Sequence, residues 1–209
     1  EYWDRKVTAG RNKRSNIDLF LQAYLYIRIQ DSFLGVTSDD KIRFAKVESV
    51  FSSYKELISR YEVDKRDMVS DLKAYAAIYR NVINPLITEE DIDKSNYIQR
   101  LNIVMFGLDT TTIIPYILYV SKNVSDIGER NSIYGYLESY LMRRIICHLT
   151  TKNYNQLFSE SMINKEINTL ARLRDIIEGQ ADRINFMPND NDVKVGINES
   201  SLTNVQARG

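Results

Sequence analysis

Helix breakers are nearly missing from this chain: eight glycines and three prolines in 209 residues. Between them, apolar residues recur at a spacing of about 3.6, and no stretch alternates convincingly at a period of two. This predicts an all-α fold, a multi-helix bundle of about seven to nine helices. The length suits one large domain. Hydrophobic residues at 44% and charged residues at 27% supply a sizeable core and a solvated surface.

The periodicity places the elements. "SNIDLFLQAYLYIRIQDSF" puts Ile17, Phe20, Leu21, Tyr24, Leu25 and Arg28 on helical spacing, with Ser15 or Asn16 as cap. A single second helix is read across "TSDDKIRFAKVESVFSSYKELISRY", started by Ser38 and two aspartates, with Phe44, Val47, Phe51, Tyr54 and Ile58 as its buried stripe. A third runs from about Lys65 to Ile83 and stops at Asn84–Pro85. The next opens on a capping box from Thr88 to Asp91 and closes at Gly107. Pro115 sits near the start of the helix in "DTTTIIPYILYV", where it is tolerated or kinks. Further helices are read over about 131–149, 153–160 and 163–180. The chain thus divides into a basic arm (1–14), a helical domain (15–186) and a polar segment (187–209) with room for one short helix after Pro188.

Charge and residue types narrow the function. The net charge is 0, from 28 basic and 28 acidic side chains, which argues against a generic nucleic-acid coat. A local patch remains: Arg5, Lys6, Arg11, Lys13 and Arg14 either touch a DNA backbone, dock on an acidic neighbour or stay solvated. Cys147 is the one cysteine and His148 the one histidine. An intrachain disulfide and a two-histidine metal motif are therefore excluded. No Walker-type loop, GxGxxG or HExxH is present, and no cofactor, metal site or catalytic residue is expected. "EEDIDK" could attract a divalent ion, but at a helix start it also serves the dipole. No apolar run of about 18 residues and no signal peptide appear, so a cytoplasmic protein without membrane partners is expected.

The most informative stretch is "YLESYLMRRIICHLTTKNYNQLF", Tyr136–Phe158. Arg143 and Arg144 sit in an apolar helical run, with no carboxylate three or four residues away. Glu138 lies at five and six residues, the wrong angle for a clean pair. Neither guanidinium can shed its charge, so each needs partners from elsewhere: acids on neighbouring helices, a phosphate or adjoining domain, or water. His148 is placed to satisfy carbonyls at a helix end rather than to catalyse. Thr150 and Thr151 are caps, while Lys152, Tyr154 and Asn155 complete a polar knuckle that lacks the glycines of a phosphate loop.

Four landmarks carry a family likeness. "YWDRKVTAGRNKRSNIDLFLQAYL", the arginine stretch, "FMPNDNDVKVGI" and, more loosely, "LDTTTIIPYILYV" resemble, in order, the central helical region of GmrSD-type modification-dependent restriction proteins. The resemblance implies an N-terminal ParB-like domain linked to nucleotide-dependent activity and a C-terminal HNH-type nuclease. Neither motif lies in this stretch, which begins without an initiator Met and reads as the helical middle of a longer polypeptide. The expected function is then a non-catalytic connector that positions nuclease domains, with flanking domains of the same polypeptide as partners and DNA met through the parent protein. A DNA-backbone-binding helical module and a standalone interaction domain are the alternatives.

Overall fold

The computed structural model describes residues 2–9, 12–46, 50–179 and 184–199. Among them are ten α-helices: α1 (Asn16–Arg28), α2 (Ser38–Phe44), α3 (Val50–Arg60), α4 (Lys65–Val82), α5 (Tyr97–Gly107), α6 (Ile114–Asn123), α7 (Ile127–Ile146), the single turn α8 (Met162–Asn164), α9 (Leu170–Glu178) and α10 (Asp190–Glu199). The fold is the all-α multi-helix bundle that the periodicity predicts. Side-chain caps set the helix starts. Ser15 accepts from the Asp18 amide while the Asp18 carboxylate accepts from the Ser15 amide, a reciprocal capping box. Asp64, Asn96, Asp126 and Thr169 cap α4, α5, α7 and α9 in the simpler way.

The core is built around α6. Ile114, Pro115, Tyr116, Ile117, Leu118 and Val120 are all buried, so this helix is apolar nearly all round and is enclosed by its neighbours. Helices α1, α4 and α7 pack against it, with α8 and the turn before it. Helix α5 lies along α7 on the outer side, and α9 and α10 also lean on α7. Buried and half-buried tyrosines tie the layers by donating to carbonyls: Tyr54 to Leu21 at 2.6 Å, Tyr116 to Ile167 at 2.9 Å and Tyr26 to Ala45 at 2.6 Å.

Five local expectations give way to stronger local chemistry. The arm holds two short antiparallel strands, β1 (Lys6–Ala9) and β2 (Asn12–Ser15), with Lys6 opposite Ser15. Four residues per strand are too few for an alternating pattern to register in sequence. The single helix expected over residues 37–61 is two. Helix α2 ends at Phe44, and α3 restarts with a different phase, burying Leu57 and leaving Phe51 75% exposed. Val47 of the expected stripe lies outside the described residues. Helix α5 starts at Tyr97, not Thr88, because Asp93 Oδ1 accepts from the Ser95 amide and hydroxyl at 2.8 and 2.7 Å and holds a turn there. The helix expected from Ile163 begins at Leu170, after a break at Lys165–Glu166, and the short helix before it is a π-helical turn, Gln156–Ser161.

Scarce glycine leaves a mark on helix ends. Glu62, Asp109, His148 and Glu166 adopt φ of 48°, 53°, 54° and 51°. His148 donates its amide to Ile145 O at 3.0 Å and Leu149 donates to Arg144 O at 2.9 Å. That is the Schellman pattern with histidine where glycine is usual.

The N-terminal residues are fastened to the bundle. The Tyr2 hydroxyl donates to Ile83 O at 2.9 Å, and the buried Asn16 side chain donates to Tyr2 O at 3.2 Å while accepting from the Tyr79 hydroxyl at 2.8 Å. Trp3 stacks on Tyr79 with centroids 5.7 Å apart.

Candidate functional site

The end of α7 answers why two charges sit in an apolar run. Arg144 is 1% exposed. Its NH2 donates to Thr150 O and Ile184 O at 2.8 Å each, its NH1 to Phe186 O at 3.1 Å and its Nε to the Tyr154 hydroxyl at 3.2 Å. The Tyr140 and Tyr154 rings lie 5.4 and 5.7 Å from its guanidinium carbon. Among the described residues its acceptors are neutral oxygens rather than the carboxylates expected from neighbouring helices. A guanidinium with five N–H donors suits such a ring of carbonyls, because partial charges converge on it from several directions.

Arg143 does meet an acid. Its NH2 lies 2.7 Å from Asp190 Oδ1 at the start of α10, its NH1 donates to Pro188 O at 3.1 Å, and its Nε donates to the Ser139 hydroxyl at 3.3 Å. Tyr140 donates to Asn185 O at 3.0 Å. Three side chains of one helix thus capture the carbonyls of Ile184, Asn185, Phe186 and Pro188. The incoming segment is held by its backbone. Gly196 completes the docking of α10: a Cβ there would stand 2.5 Å from Ile146 O, so the two helices touch backbone to backbone.

The other expected residues distribute as follows. Tyr154 is 1% exposed and joins Arg144, while Lys152 and Asn155 are at the surface. Burial pushes the Tyr154 phenol up, partly offset by Arg144. Glu138 pairs with Arg100 of α5, its oxygens 3.0 and 3.1 Å from Nε. In the arm, Arg5 reaches Glu89 at 3.3 Å. Arg14 donates to Asp18 O at 3.2 Å and to the Gln22 side chain. Lys6 and Lys13 are exposed, and Arg11 lies outside the described residues. Two of the arm's arginines are thus engaged inside the fold.

Beside the α7–α10 joint lies an open groove of about 990 Å³. Its walls come from α5, α7, α9 and the start of α10, and they carry Arg100, Arg143 and Arg174. Arg100 lies over the Tyr97 ring at 4.5 Å, and Arg174 over the Tyr136 ring at 5.6 Å. The Tyr136 hydroxyl donates to Glu178 at 3.0 Å. Gly135 makes the floor. A Cβ there would meet the Tyr97 ring at 2.9 Å, so glycine inside α7 lets that ring lie against the helix backbone. Of these residues only Arg143 stood out in sequence. Gly135 was the available signal, since a mid-helix glycine costs about 1 kcal/mol unless something packs on it. Ser132 and Ser139 on α7 and Asn189 and Asn191 before and within α10 add hydrogen-bonding groups.

Elsewhere the chemistry is quiet. Burial raises the Cys147 thiol above its ordinary value, the opposite of an activated nucleophile. Among the described residues no three His, Cys, Asp or Glu side chains gather as a metal site, and no helix is long and apolar enough to cross a membrane. No family model, curated protein or solved structure matches the chain.

Proposed function

We propose that this chain is a non-catalytic helical connector of a GmrSD-type restriction protein, working in a prokaryotic cytoplasm in defence against foreign DNA. It would hold a ParB-like domain and an HNH-type nuclease in a fixed relation and pass changes between them. The resemblance of the arginine stretch motivates the family. The observation that carries the mechanical role is that both described ends are fastened to one core. Tyr2, Trp3 and Asn16 are tied to Tyr79 and Ile83 of the α4 region. Residues 184–196 are tied to α7 through Tyr140, Arg143, Arg144 and the Gly196 contact. A body gripped at both ends by internal helices transmits orientation, where a flexible linker would lose it.

The test uses the full-length gene product. Arg144→Met in the connector is expected to abolish restriction of modified DNA in cells, while the separately purified neighbouring domains keep their own folds. Full restriction by a protein whose connector has lost its fold would overturn the reading. So would a reading frame that encodes neither a ParB-like nor an HNH-type domain beside this stretch.

A further inference from the structure

We propose that the groove between α5, α7, α9 and the start of α10 binds a small phosphorylated ligand, with Arg174 as its free fork and Arg143 handed to it from Asp190. The three guanidiniums differ in how firmly they are held. Arg100 is gripped by both oxygens of Glu138 and also donates to Lys94 O at 2.6 Å, so it is a fixed part of the wall. Arg174 is exposed, its described contact is the face of Tyr136, and no described carboxylate pairs with it. A guanidinium lying on a tyrosine ring keeps its edge free to donate two parallel N–H bonds to an oxyanion.

Arg143 is occupied, but weakly. Its partner Asp190 has a side chain 80% exposed. Exposed ion pairs add little stability, so a competing anion displaces this one at little cost. A phosphate monoester brings about −1.5 to −2 charges and three acceptor oxygens, enough to engage two forks at once where the single carboxylate engages one. Asn189, Asn191, Ser132 and Ser139 line the same groove and can donate to the remaining oxygens. The groove is open to solvent along its length, with room, about 990 Å³, for a phosphoryl group and what carries it. Glu178 also lines it, but its Oε1 already accepts from Tyr136, which draws that carboxylate toward the wall.

The experiment is calorimetric titration of the whole chain with inorganic phosphate, against chloride at matched ionic strength. Saturable binding is expected for phosphate and none for chloride. Arg174→Ala should weaken it by about tenfold or more, Arg174→Lys should fall between, and Asp190→Asn should tighten it about threefold by removing the competitor. The paired substitutions Lys6→Ala and Lys13→Ala on the hairpin should leave it unchanged. O-phosphoserine as second probe distinguishes sources: tighter binding than phosphate means the groove reads the rest of the molecule, and equal binding means it reads the phosphoryl group alone. Arg174→Ala binding like the parent, or Asp190→Asn binding more weakly, would overturn the proposal. Circular dichroism of each variant separates loss of binding from loss of fold.

Discussion

Arg144 and Tyr154 meet at 3.2 Å, Nε to hydroxyl, with both residues 1% exposed. Tyr154 belongs to the polar knuckle after α7, and the same guanidinium reaches forward to Ile184 and Phe186. One side chain therefore joins three separate parts of the chain.

Removing that guanidinium should be costly. Arg144→Met keeps the volume and sheds the charge, but it strands the carbonyls of Thr150, Ile184 and Phe186 and the Tyr154 hydroxyl. A loss of roughly 3–5 kcal/mol is expected in urea titrations. Arg144→Lys should recover only part, since one ammonium cannot span all four acceptors. Trp3, the sole tryptophan, gives the fluorescence readout.

Gly196→Ala should act on α10 alone. The added methyl would sit 2.5 Å from Ile146 O, and backbone on both sides cannot yield. Amide hydrogen exchange of 190–199 is expected to accelerate while α6 and α7 keep their protection. Uniform protection throughout would mean the contact relaxes freely.

Glu62→Gly should stabilise the protein. Glu62 is exposed and holds φ 48°, a conformation that costs a Cβ-bearing residue strain and glycine none. Against glycine's greater entropy loss, a net gain of about 0.5–1 kcal/mol is expected, read as a rise in melting temperature.

Alkali should unfold the chain through its tyrosines. Burial raises the phenols of Tyr24, Tyr54, Tyr79, Tyr116 and Tyr140, and pushes Tyr2 up to about 12 from 10.0. A raised folded pKa means the native state keeps protons that the unfolded chain releases. The stabilisation is whole below pH 10.0 and is lost as pH climbs toward each folded value, about 12 for Tyr2. Tyrosinate absorbance and loss of helical ellipticity should rise together. A large tyrosinate signal with helicity intact would contradict this.

The bundle was legible because its signal is repeated. Long periodic runs such as α4, expected from Lys65 to Ile83 and found from Lys65 to Val82, average out local accidents. What escaped depends on one or two residues. A turn at Asp93 moved the start of α5, and a break after Phe44 rephased α3 so that Phe51 left the core. The need of Arg143 and Arg144 for distant partners followed from helical spacing. That Arg144 would take carbonyls could not, because a backbone oxygen has no letter in the sequence. Arg174 and Tyr136 share a groove only because α9 folds back along α7, a long-range relation that no local pattern encodes.

The carbonyls that satisfy Arg144 lie up to 42 residues further along the chain. During synthesis on a ribosome, a nascent chain that has passed Tyr154 but not yet Phe186 offers Arg144 only the Thr150 carbonyl and the Tyr154 hydroxyl. Closure must wait for that tail. The last two bonds to this guanidinium therefore form only once residues 184–186 have emerged.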